Sequence, residues 1–135
     1  MIRPRLGRTG VAGVEFALTS MVLLGVIVAI LEGGELLVAQ HTLDNAVVVA
    51  ARFAVVHGSR SSSPASSGDV QNAFNAATAG SVLGNAPNVK VTFTPDNSPG
   101  SIVSVSATYN WTPVASLADW AALTLSAQAN FTIQN

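Results

Sequence analysis

Leu36-Leu37-Val38-Ala39-Gln40-His41-Thr42-Leu43-Asp44-Asn45-Ala46-Val47-Val48-Val49-Ala50-Ala51-Arg52-Phe53-Ala54 carries the pattern from which the fold follows. Leu36, Ala39, Leu43, Ala46, Val47, Ala50 and Ala54 recur at helical spacing and share one stripe of an α-helix. Glu35, Thr42, Asp44, Asn45 and Arg52 fall away from it. An amphipathic helix with one greasy stripe needs a cover. The stripe is rich in alanine, and small side chains let another backbone or a sheet approach closely. The helix is expected to run to about His57, where Gly58 can cap it.

Toward the N-terminus the pattern turns apolar on every side. Val11 to Leu31 is 21 residues, about 31 Å of helix, which matches a hydrocarbon core of about 30 Å. The uncharged part, Phe16 to Leu31, is 16 residues, or about 24 Å. The segment therefore spans a bilayer if Glu15 lies near one face or is neutralised, and Glu32 and Glu35 then mark the other face. An ionisable group at that position is costly and usually marks function. Gly33-Gly34 stands at the expected membrane exit, and a bend is expected there because each Gly costs about 1 kcal/mol relative to Ala in a helix. It reads either as a hinge for extraction from the membrane or as a close helix–helix contact. Within residues 1–10, Pro4, Gly7 and Gly10 argue against a stable helix. A secretory signal peptide is disfavoured, because the apolar run continues into Ile30-Leu31-Glu32 without a small-x-small cleavage site.

Toward the C-terminus, Gly58 to Gly68 is a linker by composition, rich in Ser and Gly. Asp69 or Ser67 offers an N-cap. Val70, Ala73, Phe74 and Ala77 give a short second helix, expected to end near Leu83-Gly84. After Pro87 the period becomes two. Val89, Val91 and Phe93 alternate with Lys90, Thr92 and Thr94. Pro95 to Gly100 is a turn cluster. Val103, Val105, Ala107, Tyr109 and Trp111 alternate with Ser104, Ser106, Thr108 and Asn110. Thr112 to Ala122 is a connection, and Leu123, Leu125, Ala127, Ala129, Phe131 and Ile133 form a last alternating run. These are three half-buried strands with an apolar face and a Ser/Thr/Asn face.

The expected fold is α+β: a long N-terminal transmembrane and amphipathic helix packed on a small three-stranded antiparallel sheet, with one short extra helix. Residues 1–10 form a basic leader and 11–31 the transmembrane half of the helix. Residues 32–57 form its amphipathic half and 58–68 the linker. An exported α+β domain, 69–135, packs on 36–57.

Charge sets the orientation. The 135-residue chain has a net charge of −1, which gives no basic footprint for nucleic acid. Arg3, Arg5 and Arg8 make the leader +3, whereas beyond Gly10 three cations (Arg52, Arg60, Lys90) meet seven carboxylates, leaving −4. By the positive-inside rule the N-terminus stays cytoplasmic and the C-terminal part is exported. Cysteine is absent, which excludes disulfides, thiolate metal sites and thiol catalysis.

Gly10-Val11-Ala12-Gly13-Val14-Glu15-Phe16, between the basic leader and the apolar run, resembles the processing site of type IV pilin-like proteins. In that family a peptidase cuts after a glycine, and a glutamate at position five of the mature chain is followed by an aromatic. Gly10, Glu15 and Phe16 occupy those places. Leu31-Glu32-Gly33-Gly34-Glu35 and Ala50-Ala51-Arg52-Phe53-Ala54 also look like the helix of TadE-like minor pilins of the tight-adherence pilus system. The C-terminal strands resemble that family in alternation alone. Major pilins of this system are very short, and this chain carries a sizeable domain, so it looks like a minor, pseudopilin-type component.

The resemblance implies cleavage between Gly10 and Val11, with Glu15 and Phe16 serving recognition and assembly. It implies as partners a prepilin peptidase, other pilin subunits and an inner-membrane assembly platform with its ATPase. Membrane lipid surrounds the helix. The implied location is the bacterial inner membrane, with the domain periplasmic or carried into an extracellular pilus for surface attachment. No cofactor is implied.

Other readings keep their place. A permanently anchored periplasmic adaptor would keep its leader and have no need of Glu15. An anchored enzyme would need convergent polar residues, and no catalytic constellation or phosphate loop is readable. His41 and His57 lie about 160° apart around one helix and cannot ligate one metal; His41 is expected to bond Asp44 locally. Asn110-Trp111-Thr112 and Asn130-Phe131-Thr132 match the N-glycosylation pattern but read as sheet residues. Trp111 belongs to the apolar face, whereas Trp120 is either core or a partner anchor. Asp69, Asp96 and Asp119 sit at turns or caps, where Asp is expected.

Overall fold

The computed structural model describes residues 8–83, 87–113 and 122–134. The chain folds as α1 (Arg8–Val56), α2 (Ser67–Thr78), β1 (Asn88–Thr94), β2 (Ile102–Trp111) and β3 (Leu123–Thr132). The three strands form one antiparallel sheet in the order β1-β2-β3. The α+β arrangement expected from the two periodicities is the one found.

The 49 residues of α1 extend about 74 Å. The helix begins at Arg8, earlier than the glycines of the leader suggested. It also runs unbroken through Gly33-Gly34. A Cβ on either glycine would meet nothing within 4 Å, so no neighbour in this chain requires a glycine there. The helix ends where the His57 ring stacks on Phe53 at 4.2 Å and His57 Nδ1 lies 2.9 Å from the Phe53 carbonyl oxygen.

The core lies between the upper half of α1 and the inner face of the sheet. Ala39, Leu43, Ala46, Val47, Ala50, Ala51 and Ala54 are buried on the helix. They face Val103, Val105, Ala107, Tyr109 and Trp111 of β2, and Ala127 and Ala129 of β3, within one cluster. Leu36 packs at its edge. Val70 and Phe74 of α2 are fully buried and close the cluster from the side. Alanines opposite valines on the central strand bring backbone close to backbone, so dispersion contacts are dense although few side chains are large.

Three local expectations are corrected. The N-cap of α2 is Ser66, with Asp69 at N3 completing a reciprocal capping box. Ser66 is preferred over Ser67 or Asp69 because only a residue three before Asp69 lets both orphan N–H groups find an acceptor. The helix ends at Thr78, before Leu83, because Gly80 takes a left-handed φ of 72°, which stops helix propagation. Asp44 accepts from Gln40 Nε2 at 3.1 Å, one turn before it, rather than from His41.

The 58–68 connection is fastened despite its composition. Ser59 N–H donates to the Asn97 carbonyl at 2.7 Å, and Ala65 N–H to the His57 carbonyl at 2.7 Å. Asn97 Nδ2 donates to the Ala65 carbonyl at 2.9 Å. In the facing turn, Asp96 accepts from Ser98 N–H and from the hydroxyl of buried Ser101, both at 2.9 Å. Ser101 in turn holds the end of β3 through the Ile133 N–H at 2.8 Å.

Candidate functional site

The exposed half of α1 is the feature that the domain does not explain. Val11, Val14, Phe16, Leu18, Met21, Val22, Leu23, Leu24, Ile30 and Leu31 are all exposed. Contiguous apolar surfaces of this size are rare on soluble monomers and mark sites of protein or membrane contact. The helix from Gly10 to Val56 is long and apolar enough to cross a membrane, and none of its most apolar window is buried inside the chain. It fits a single-pass membrane anchor.

The residues singled out in the sequence lie along this half. Gly10 and Val11 stand in the first turn of α1, both exposed. Glu15 lies four residues on, about 6 Å along the axis, and its carboxylate has no partner among the described residues; its backbone carbonyl accepts from Thr19 Oγ1 at 2.8 Å. Phe16 projects beside it, 75% exposed. Gly33 and Gly34 sit some 18 residues further, so the structure does not bring them near Gly10 or Glu15. Shallow grooves flank the helix, one lined by Leu18, Val22 and Val26 and the other by Ala17, Met21 and Gly25. They are notches of the kind that a neighbouring helix or a lipid chain fills.

Residues 10–52 match the model of a family described as TadE-like protein. Over those residues the helix is similar to the TadE-like family. The match supports a TadE-like protein of the Tad pilus system, a pilus-associated family of a non-enzymatic kind, and points to other pilus components as partners. It covers the exposed half of α1 and most of the packed half, and stops before the sheet. No curated protein and no solved structure matches the chain.

Elsewhere the chemistry is that of a scaffold. Among the described residues no three His, Cys, Asp or Glu side chains converge as metal ligands. Asp69 is held below its ordinary 3.8 by the Ser66 hydroxyl and then the Ser66 N–H. Asp96 is lowered by the Ser98 N–H first, then by the hydroxyls of Ser98 and Ser101. Asn110 and Asn130 are exposed strand residues whose side-chain oxygens accept from Thr124 and Gln128. Trp111 is buried on the apolar face as expected, but its Nε1 has no acceptor among the described residues. Trp120 and Asp119 lie outside the described residues. Sequence reading missed Asn97, whose fastening of the 58–68 segment leaves no signature beyond a turn-forming residue. It also missed Ser66, although the Ser-x-x-Asp spacing signalled the cap.

Proposed function

We propose that the chain is a minor pilin or pseudopilin, cleaved between Gly10 and Val11 by a prepilin peptidase and taking part in assembly of tight-adherence pili for surface attachment. The observation that carries this reading is a helix similar to TadE-like proteins whose apolar half is exposed and which continues without a break into a packed domain. The leader is cytoplasmic, by the positive-inside rule, and the domain periplasmic. The protein works through assembly rather than catalysis, with other pilins and the inner-membrane platform and its ATPase as partners.

The geometry suggests how the site performs. Gly10 and Gly13 both fall in the first two turns of α1, and glycines there weaken a helix end by about 1 kcal/mol each relative to Ala. Fraying of that end would expose the Gly10–Val11 bond to a peptidase in an extended conformation. After cleavage Val11 carries a free amine. A carboxylate and an ammonium at hydrocarbon depth each favour a partner of opposite sign. An axial stagger of about 6 Å between neighbouring helices would bring Glu15 of one subunit to the Val11 amine of the next. Glu15 would thus select for assembly.

N-terminal sequencing of the protein from cells with and without prepilin peptidase tests the reading. A peptidase-dependent start at Val11 is expected. A chain beginning at Met1 in both would make residues 1–31 a plain anchor. Glu15→Gln is expected to leave cleavage intact and to prevent incorporation; equal incorporation would remove the role given to the carboxylate.

A further inference from the structure

The sheet has two edges, β1 and β3, and they are built differently. β1 is seven residues long and carries Lys90, with Pro87 just before it and Pro95 just after. A short strand, a lysine and flanking prolines all discourage an edge from pairing. β3 is ten residues long and has neither charge nor proline. Its outward row can be read from its upper end, where the turn that bonds Ser59 and Ala65 also holds Ile133. Ile133 N–H donates to the Ser101 carbonyl at 2.8 Å, and the Ile133 carbonyl accepts from Gly100 N–H at 2.9 Å. Main-chain groups along an antiparallel strand alternate in direction, so odd-numbered residues of β3 turn toward β2 and even-numbered ones turn outward. Gln40 Nε2, which reaches the Ser126 carbonyl from outside at 3.3 Å, agrees with that parity.

Above Ser126 the row is open. The main-chain N–H and C=O groups of Gln128, Asn130 and Thr132 have no partner among the described residues. Their side chains do not fold over the edge, since Gln128 Nε2 donates to Ser104 Oγ at 3.1 Å and to Asn130 Oδ1 at 3.2 Å along the outer face. The link from Pro113 to Ala122 starts and ends at the opposite end of β3. Its nine residue steps, at most about 3.6 Å each, cannot climb to Asn130, about 23 Å above Leu123, and return. Beside the open row the inner face continues with half-buried Phe131. Val48 and Val55, also half-buried, lie 8 and 15 residues beyond Gln40, within about 80° of the side from which Gln40 meets β3. The edge therefore has an apolar flank on the helix side and an uncharged polar flank on the other.

We propose that the upper part of this edge, from Gln128 to Thr132, takes an extended segment of another protein chain as a fourth strand. Donors and acceptors that alternate at strand spacing are matched by an extended backbone. The segment is apolar at every second residue, to cover Phe131, Val48 and Val55. Between them it is polar and uncharged, to lie beside Gln128 and Asn130. The donor is a neighbouring pilus component, which rests on the pilin reading.

Amide exchange of the full chain in detergent micelles, read residue by residue by NMR, tests the edge directly. Gln128, Asn130 and Thr132 are expected to exchange at least about tenfold faster than Ala127, Ala129 and Phe131. Protection of the even row in the protein alone would mean that the edge is already filled, by a second copy or by the chain itself, and would overturn the site. A heptapeptide, Thr-Val-Thr-Val-Thr-Val-Thr, is then tethered to the C-terminus through a Gly/Ser linker, which holds it at about millimolar effective concentration. The three amides are expected to slow by about tenfold, and Asn130→Pro, which removes one outward N–H and no ladder bond, should abolish the effect. Thr132→Pro replaces it if Asn130→Pro does not fold. Absence of slowing with the tethered strand would overturn the edge whatever becomes of the pilin reading. In cells, Asn130→Pro is expected to be cleaved before Val11 like the parent, yet to enter pili at about a tenth of the parental level or less. Asn130→Ala, which keeps the main-chain donor, should enter normally. Equal entry of Asn130→Pro and the parent would overturn the edge. A parent neither cleaved nor found in pili would overturn the pilin reading, and the exchange of the tethered chain would then decide the edge alone.

Discussion

The two halves of α1 are made of similar residues and do opposite things. From Val11 to Leu31 the large side chains point in all directions and every one of the largest is exposed. From Ala39 to Ala54 one stripe is buried to 1% exposure or less, and most of that stripe is alanine. Bulk thus faces outward, and smallness faces the sheet. Hydrophobicity alone does not say which half finds its partner within the chain. Side-chain size does, because a helix can be laid closely on a sheet only along a stripe without bulk.

Truncating one leucine in each half separates them most widely. Leu43 is fully buried and Leu23 is 59% exposed. Leu43→Ala is expected to cost the domain about 2–5 kcal/mol, whereas Leu23→Ala is expected to lie within about 0.5 kcal/mol of the parent. Denaturant unfolding in detergent micelles, followed by tryptophan fluorescence, reads both. Comparable losses would mean that the exposed half contributes to the domain and that the division is mistaken.

Enlarging the buried stripe is the next largest change. Ala50 is 0% exposed, and Ala50→Leu is expected to destabilise by about 1–3 kcal/mol through overpacking against the sheet. The same exchange at exposed Ala17 should be neutral in the same assay. A neutral Ala50→Leu would show that the helix and sheet part easily, and smallness would then have another cause.

The capping box sharpens the comparison at smaller scale, since α2 covers only the buried half. Ser66→Ala removes the acceptor for Asp69 N–H and is expected to cost about 1 kcal/mol. Acid works on the same group more gently. Asp69 and Asp96 both have lowered folded-state pKa values, so their ionised forms favour folding. That stabilisation is complete above the ordinary carboxylate value and is lost as the pH falls below 3.8 through the folded values. A melting temperature that declines over this range in the parent, and declines less in Ser66→Ala, is the expected result. Identical acid profiles for the two proteins would remove Asp69 from the account.

Periodicity made much of this legible before any coordinates. Leu36 to Ala54 and the alternation at Val103 to Trp111 name the buried faces almost residue by residue, because burial on a helix stripe or a sheet face is a local rule. Ala51 was missed, since it lies at the edge of the stripe, where coverage depends on how α2 approaches. The Ser-rich 58–68 segment reads as a linker because composition records what a segment can do in isolation. Its bonds to Asn97 come from a turn about 30 residues away, and no local pattern encodes them. At the candidate site, Gly10, Glu15 and Phe16 were visible as residues, and coordinates add that the Glu15 carboxylate has no partner among the described residues and that the Phe16 ring is exposed.

The smallest effect on the domain is expected at the junction of the halves, and there function rather than stability is the readout. Gly33 and Gly34 lie below Ala39, the first buried residue of α1, and an added Cβ meets open space. Gly33→Ala with Gly34→Ala should leave the unfolding of the domain unchanged. Locally each exchange strengthens the helix by about 1 kcal/mol, so amide exchange around residues 32–36 should slow by about fivefold per substitution. If the pair serves as a hinge, the stiffened helix will reach the membrane and be processed, yet enter pili poorly. If it serves as a close contact with a neighbouring helix, the two methyl groups will weaken association already in the membrane, and a bulkier Gly34→Leu will weaken it further. Unimpaired assembly with slowed exchange would show that the joint between the two halves needs neither softness nor closeness, and that the long helix works as a rigid rod.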